Sequence, residues 1–248
     1  MKVFNVIGFS KTGKTTTIEE IIKELKKRNY SVGSIKDIHF EEFAIDTPGT
    51  NTDRHKKAGS ELVTARGLFE TDVLFQRQLD IYQIAKFYDF DFLVIEGYSA
   101  SNTPKILTGA TYDDLDNKVD DSIFLISGKI AENIDEYKGI RAISALDDIE
   151  KIVDIIEERT FKLLPDFDPD CCTACGYSCR QLLVAILKGE STRDDCIIDS
   201  SKIKLTIDDK EIPMVPFVQK ILQNTVEAVV KELDGYKSNS KIKIEIND

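Results

Sequence analysis

Two stretches of the chain, residues 3–7 and 92–95, are almost entirely apolar and lack the polar alternation of a half-exposed strand. We therefore predict strands buried on both faces, as in a parallel sheet. Further strands are predicted at residues 31–36, 61–65, 73–76, 123–127 and 141–144. Apolar residues recur at helical spacing in residues 16–28, 79–88 and 147–158. The alternation of strand and helix predicts a doubly wound α/β domain over residues 1–160.

The pattern changes after residue 160, where a stretch rich in proline and aspartate reads as a linker. Residues 161–200 are predicted to form a cysteine-rich module, with an amphipathic helix between Cys179 and Cys196 that ends at Gly189. Residues 201–248 are predicted to form a small β-α-β extension, with strands at 202–207 and 241–246 and a helix at 216–233. The predicted fold is a mostly parallel sheet flanked by helices, followed by this module and an α+β tail.

The segment between the first strand and the first helix, residues 8–15, has the sequence GFSKTGKT, the G-x-x-x-x-G-K-[ST] pattern of a P-loop. Backbone N–H groups at the start of a helix attract anions, and the helix dipole adds to that attraction. Lys14 would contact the β- and γ-phosphates, and the Thr15 hydroxyl would bind Mg²⁺. The predicted nucleotide-binding residues are Gly8, Ser10, Lys11, Thr12, Gly13, Lys14, Thr15 and Thr16.

Two carboxylates are candidates for the metal side of this site. The apolar strand 92–95 delivers Glu96 at its carboxyl end, as in a Walker B strand, where the carboxylate lies near Mg²⁺ and orients water. Asp46 lies in a long polar segment, residues 40–57, where substrate and switch loops are commonly found, and it would approach the metal through water. We therefore predict Lys14, Glu96 and Asp46 as catalytic residues, with Thr15, Asp46 and Glu96 around Mg²⁺.

Residues 117–120 read NKVD, which fits the N-K-x-D pattern by which many GTPases read guanine. That motif should follow a buried strand, but here it follows the polar run DDLD. No preference for GTP is drawn from it.

Composition limits the kinds of partner, the compartment and the cysteine chemistry that we expect of this chain. The formal net charge of −11 argues against broad nucleic-acid binding, which requires a positive surface. No stretch reaches a membrane-spanning length, and the N-terminus reads as a strand rather than a signal peptide, so we expect a cytoplasmic protein. In that compartment, clustered cysteines indicate metal or redox chemistry rather than disulfides.

All five cysteines fall between residues 171 and 196. Beginning at Cys172, the spacing is C-x2-C-x3-C-x16-C, with Cys175, Cys179 and Cys196 as the further predicted ligands. Three close ligands and one distant ligand suit a [4Fe–4S] cluster better than Zn²⁺, which remains the alternative. Cys171 is a possible substitute for Cys172.

Four ordered blocks resemble the molybdopterin-guanine dinucleotide biosynthesis protein B (MobB) family: residues 8–17, 46–60, 94–98 and 104–106. The resemblance implies a GTP-binding accessory protein, usually homodimeric, with weak Mg²⁺-dependent GTPase activity. Such proteins assist the molybdenum (or tungsten) cofactor guanylyltransferase, which joins GMP to molybdopterin. The cysteine segment is similar to a small four-cysteine iron–sulfur domain of corrinoid-protein subunits and electron-transfer components, although one gap is a residue shorter.

Two alternatives stay open at this point. The chain could be a nucleotide-switched iron–sulfur adaptor that docks on a metalloenzyme, or a maturation factor for a metalloenzyme. In the accessory protein the cluster would have a redox or a structural role, and in the adaptor it would pass electrons.

Overall fold

The computed structural model describes residues 1–40, 43–167, 172, 175–196, 203, 205–207, 210–212, 214, 216–237 and 242–244. The chain divides into two compact units, Met1–Asp166 and Phe167–Asp248, here called the P-loop unit and the C-terminal unit. The boundary lies a few residues beyond the expected 160 because a short strand, Phe161–Lys162, pairs with the first strand of the chain.

The P-loop unit alternates strands and helices as predicted. Its elements are β1 (Lys2–Gly8), α1 (Lys14–Lys27), β2 (Val32–Lys36), α2 (Asn51–Lys57), β3 (Leu62–Arg66), β4 (Thr71–Phe75), α3 (Ile81–Ala85), β5 (Phe92–Glu96), β6 (Lys105–Thr108), α4 (Tyr112–Asp116), β7 (Ile123–Ser127), a 3-10 turn (Lys129–Glu132), β8 (Glu136–Tyr137), β9 (Ile140–Arg141), α5 (Ile149–Arg159) and β10 (Phe161–Lys162).

Five parallel strands form the main sheet in the order β2-β5-β1-β6-β7, and β10 adds antiparallel to the start of β1. The interiors of β1, β5 and β7 are buried throughout, which explains their unbroken apolar sequences. The carboxyl ends of parallel strands meet at one edge of a sheet, and open α/β sheets bind ligands at that edge. This edge is where β1 passes into the predicted P-loop.

Helices α1 and α5 contact each other through a charged cluster centred on Arg28. Its guanidinium bonds to Glu24 at 3.0 Å, to Asp154 at 2.7 Å and to Glu157 at 3.0 Å. Earlier along the same helix, Ile21 and Leu25 are fully buried. This helix is therefore fixed to the unit both by apolar packing and by ion pairs, which gives the loop before it a rigid base.

Several features of the P-loop unit differ from the sequence prediction. The predicted strand 141–144 is reduced to β9, which pairs with β8 in a separate two-stranded sheet. Strands β3 and β4 pair with each other as a separate antiparallel hairpin rather than with the main sheet. Strand β6, next to β1, was not among the predicted strands. Residues 51–57 form helix α2 within the segment expected to be a polar loop.

The described parts of the C-terminal unit contain α6 (Cys179–Lys188), a 3-10 turn (Arg193–Asp195), β11 (Leu205–Ile207), β12 (Lys210–Ile212) and α7 (Pro216–Val230). The predicted stop of the cysteine-module helix is confirmed, because Gly189 caps α6 in a left-handed conformation with φ 75°. The tail differs from the expected β-α-β order, since β11 and β12 form a hairpin before α7. Residues 242–244, the described part of the predicted last strand, are not in a strand.

None of the helices within the described ranges is both long enough and apolar enough to cross a membrane.

Candidate functional site

The first residue of α1, Lys14, folds back over the loop between β1 and α1 and contacts its backbone. Gly13 precedes the helix in a left-handed conformation, φ 102°, which a side chain would disfavour. Lys14 then turns back across the loop, with Nζ 3.1 Å from the Gly8 carbonyl oxygen and 2.5 Å from the Phe9 carbonyl oxygen. The ammonium is thus held beside the N-terminus of α1, where an anionic ligand would meet both charges.

The neighbouring strand β6 braces this loop. Thr12 Oγ1 lies 2.9 Å from the Phe9 carbonyl oxygen and 2.8 Å from Thr108 Oγ1, and Thr108 in turn donates to the Ile7 carbonyl at 3.1 Å. A Cβ at Gly8 would overlap Thr108, so the first glycine is required by space. These contacts hold the loop in one shape before any ligand binds.

On the side of the loop toward β5, oxygen groups suited to Mg²⁺ come together. Thr15 Oγ1 donates to Glu96 Oε1 at 3.2 Å, and Lys36 Nζ lies 2.8 Å from the same carboxylate oxygen. A hydroxyl and a carboxylate at the end of a phosphate-binding loop form the kind of hard oxygen donor pair that Mg²⁺ accepts beside nucleotide phosphates. The residues therefore fit the metal that the sequence predicts.

The charges around Lys14 act on it in opposite directions. Burial lowers the pKa of Lys14, the charge of Glu96 raises it, and the nearby ammonium groups of Lys36 and Lys118 lower it. Lys36 and Lys118 therefore add positive potential around Lys14, while Glu96 supplies the opposing negative charge. Such a site favours a ligand with several negative charges, as a polyphosphate has.

Known proteins are similar to this chain in sequence and in fold. A profile of the family described as molybdopterin guanine dinucleotide synthesis protein B matches residues 3–122. A protein of Methanocaldococcus jannaschii, "Putative molybdopterin-guanine dinucleotide biosynthesis adapter protein", is 33% identical over 254 residues, covering all of this chain and 98% of the relative. The chain belongs to the MobB family.

Shorter MobB relatives match part of the chain. The Escherichia coli molybdopterin-guanine dinucleotide biosynthesis adapter protein is 26% identical over 161 residues, 61% of this chain and 89% of the relative. The crystal structure of Bacillus subtilis MobB is 25% identical with a TM-score of 0.55, and it covers 65% of this chain and 99% of its own. The predicted fold, a P-loop NTPase-like, mostly parallel sheet flanked by helices, is confirmed.

The structure brings together part of the site predicted for this MobB chain. Gly8, Thr12, Lys14, Thr15 and Glu96 are joined by the contacts above. The remaining loop positions complete the segment and differ in exposure: Ser10, Lys11 and Thr16 are exposed and Gly13 is half-buried.

Asp46 lies in a local cluster of polar and charged side chains. Its Oδ1 accepts from Thr50 at 2.8 Å and from Thr52 at 2.9 Å, and Oδ2 forms an ion pair with Lys56 at 2.8 Å. The charged hydrogen-bond partner Lys56 lowers the pKa of Asp46 to about 2, aided by the two hydroxyls. Its approach to the metal through water stays a prediction.

The NKVD segment is used mainly for local structure. Asn117 Nδ2 donates to the Asp113 carbonyl at 2.7 Å at the end of α4, and Asp120 Oδ1 accepts from the Ser122 backbone N–H at 2.8 Å. Lys118 is the exception, because its Nζ lies 4.7 Å from the centre of the Phe9 ring on the P-loop. The lysine of this segment therefore adds charge to the site.

Within the described part of the C-terminal unit, the four predicted cysteine ligands form no disulfide. Cys179 and Cys196 are buried, whereas Cys172 and Cys175 are half-buried. Within the described ranges, no three His, Cys, Asp or Glu side chains are close enough to hold a metal ion, these thiols included. Cys171, the alternative ligand, lies outside the described residues.

Sequence reasoning gave no role to Lys36, Lys118 or Gly128, which all lie around the loop. Lys36 is paired in register with Glu96 across β2 and β5, and the backbone N–H of the residue after Gly128 donates to the Thr12 carbonyl at 3.1 Å. The last residues of adjacent parallel strands lie side by side, so the position of Lys36 follows from the strand order rather than from a local motif.

Proposed function

We propose that this MobB-family chain binds GTP with Mg²⁺ at residues 8–16 and acts as an adapter for the transferase that attaches GMP to molybdopterin. The observation that carries the proposal is the Lys14 ammonium poised beside the Thr15–Glu96 oxygen pair. The adapter role is supported by the name of the M. jannaschii relative, which matches the full length of this chain.

Each residue of the site has a distinct role in this proposal. The loop amides and the N-terminus of α1 bind the phosphates, and Lys14 leaves its carbonyl contacts to neutralise the β- and γ-oxygens. Thr15 and Glu96 would hold Mg²⁺, which offsets phosphate charge when bound. Hydrolysis should be slow unless a partner supplies a further cation, as arginine fingers do for other P-loop proteins.

The proposed partners are the molybdenum cofactor guanylyltransferase, molybdopterin and a second copy of this chain. A homodimer is supported by apolar side chains at the tip of the β3–β4 hairpin, where Leu68 and Phe69 are 95% and 100% exposed. We propose that the second copy covers these two adjacent side chains, since contiguous exposed apolar groups are typical of protein–protein contacts.

Guanylation assays with the purified transferase test the adapter role. Wild-type chain should raise the rate at which GMP is attached to molybdopterin, and Lys14→Met should lose at least about tenfold of that stimulation because the phosphates lose the cation that neutralises them. Lys23→Met, an exposed lysine on α1, serves as the control of equal charge. Equal stimulation by the wild type and Lys14→Met would contradict the proposal.

We further propose that Cys172, Cys175, Cys179 and Cys196 bind a [4Fe–4S] cluster, with Zn²⁺ as the alternative. The support is residue type and spacing, since four thiols are the usual ligands of such a cluster. The described geometry does not gather three of them, so binding would reorganise this segment, as metal sites that fold on binding do. No step of the nucleotide function is assigned to the cluster.

A further inference from the structure

A single carboxylate oxygen at the nucleotide site has two partners of different kinds. Glu96 Oε1 lies 2.8 Å from Lys36 Nζ and 3.2 Å from Thr15 Oγ1. Lys36 and Glu96 are the last residues of β2 and β5, and they face each other in the parallel register. The cation is therefore built into the same sheet edge as the predicted metal ligands.

Binding of Mg²⁺ at Thr15 and Glu96 would compete for that oxygen. A divalent cation attracts a carboxylate more strongly than an ammonium does at the same distance, so Lys36 would be displaced. The side chain of Lys36 is 57% exposed and that of Glu96 is 13% exposed, so the lysine is the partner with room to move.

The displaced ammonium would lie beside the phosphates. Lys14, the predicted phosphate ligand, senses the charges of both Lys36 and Glu96, which lower and raise its pKa respectively. An ammonium that has lost its carboxylate next to a polyphosphate forms a strong charge-assisted bond to it.

We infer that Lys36 is a second phosphate-binding lysine, stored on Glu96 in the nucleotide-free protein and transferred to the terminal phosphate of a magnesium-bound nucleoside triphosphate. The inference rests on the proposed nucleotide function of the same site. It adds a residue that distinguishes a triphosphate from a diphosphate, because Lys36 acts on the phosphate that the diphosphate lacks.

If the Lys36–Glu96 ion pair had only a structural role, removing Lys36 would have the opposite effect on nucleotide affinity. If Lys36 only held β2 against β5, its removal would free Glu96 for the metal. Affinity for a magnesium-bound nucleotide would then stay the same or rise.

Calorimetric titrations of the full chain with a non-hydrolysable GTP analogue and with GDP separate these cases. With Mg²⁺ present, Lys36→Met should bind the triphosphate about tenfold more weakly and GDP less than about twofold more weakly. Without Mg²⁺, Glu96 keeps its hold on Lys36, so the substitution should change triphosphate affinity much less. Lys23→Met removes the same charge from the exposed face of α1 and should leave every affinity unchanged.

Two further results make the outcome decisive. Lys36→Arg keeps a cation at the site and should retain most of the preference for the triphosphate, and a thermal unfolding curve checks that Lys36→Met is folded. Equal weakening for both nucleotides, no weakening, or tighter binding by folded Lys36→Met would overturn the inference. Failure of the wild type to bind either nucleotide would instead refute the proposed function, on which the inference depends.

Discussion

At the scale of single residues, the P-loop is held in place by a glycine far along the chain. Gly128 follows β7 with φ 78°, and a Cβ on Gly13 would come within 3.2 Å of its Cα. The N–H of Lys129 donates to the Thr12 carbonyl at 3.1 Å. The loop is therefore enclosed by backbone on this side, with no room for a side chain.

Replacing Gly128 with alanine should both destabilise the chain and disturb the loop, because the new Cβ would overlap the Thr12 carbonyl and the positive φ would be strained. We expect a loss of about 3 kcal/mol in the free energy of unfolding. We also expect weaker GTP binding, measured by titration.

Gly139 provides a matched control, since it has the same φ of 78° but no described atom within 4 Å of the position that a Cβ would occupy. Gly139→Ala should cost about 1 kcal/mol from backbone strain alone and leave GTP binding intact. Equal effects of the two substitutions would show that packing against the loop is unimportant.

At the scale of elements, strands were predictable where burial makes the sequence uniformly apolar, as in β1, β5 and β7. Strand β6 was missed because its apolar residues, Ile106 and Leu107, are flanked by Lys105 and Thr108. Lys105 is nevertheless fully buried, and its Nζ donates to the Ser101 carbonyl at 2.8 Å and to the Thr103 carbonyl at 3.2 Å. A lysine can be buried when carbonyl groups accept its hydrogen bonds, but a hydrophobicity pattern always classifies it as a surface residue.

Helix α2 was missed for a related reason. It has seven polar residues, NTDRHKK, and therefore no apolar stripe for a periodicity search to find. The sequence marks only the N-terminus of this helix, where the Thr50 side chain caps it by accepting a hydrogen bond from the Asp53 N–H.

The cluster around Asp46 predicts how this segment responds to acid. The pKa of Asp46 is about 2 in the folded chain, held down by Lys56, against an ordinary value of about 4. The stabilisation is therefore fully present above about pH 4 and is lost as the pH falls through about 2. Carboxyl NMR titration should give a midpoint near 2 for Asp46, rising toward 4 in Lys56→Met.

Lys57→Met is the control for that titration, because Lys57 pairs with Asp53 at 2.7 Å rather than with Asp46. An Asp46 midpoint near 4 in the wild type would show that the ion pair does not form in solution.

At the scale of the whole molecule, the linear motif located the phosphate loop, but its surroundings depend on strand order. Glu96 could be predicted because its strand is so apolar, whereas Lys36 and Gly128 come to the loop through β2 and β7. Local pattern does not specify which strands are neighbours, so those residues could not be assigned from it. The same limit applies to the cysteines, whose spacing predicts ligands without fixing their geometry.

The C-terminal unit can be tested by metal analysis. Anaerobically purified protein should contain about four iron and about four acid-labile sulfide per chain, and Cys179→Ser should lose both. About one zinc without sulfide would support the alternative structural site. Absence of iron, sulfide and zinc from the wild type would refute a metal role for these cysteines.

The most direct test of the nucleotide site is a calorimetric titration of Mg²⁺-GTP into the wild-type chain and into Lys14→Met. Binding to the wild type with one site per chain, weakened at least about a hundredfold in folded Lys14→Met, is the result that the site predicts. Equal affinity of the two proteins for GTP would contradict it, because the ammonium held on the Gly8 and Phe9 carbonyls would then have no part in binding phosphate.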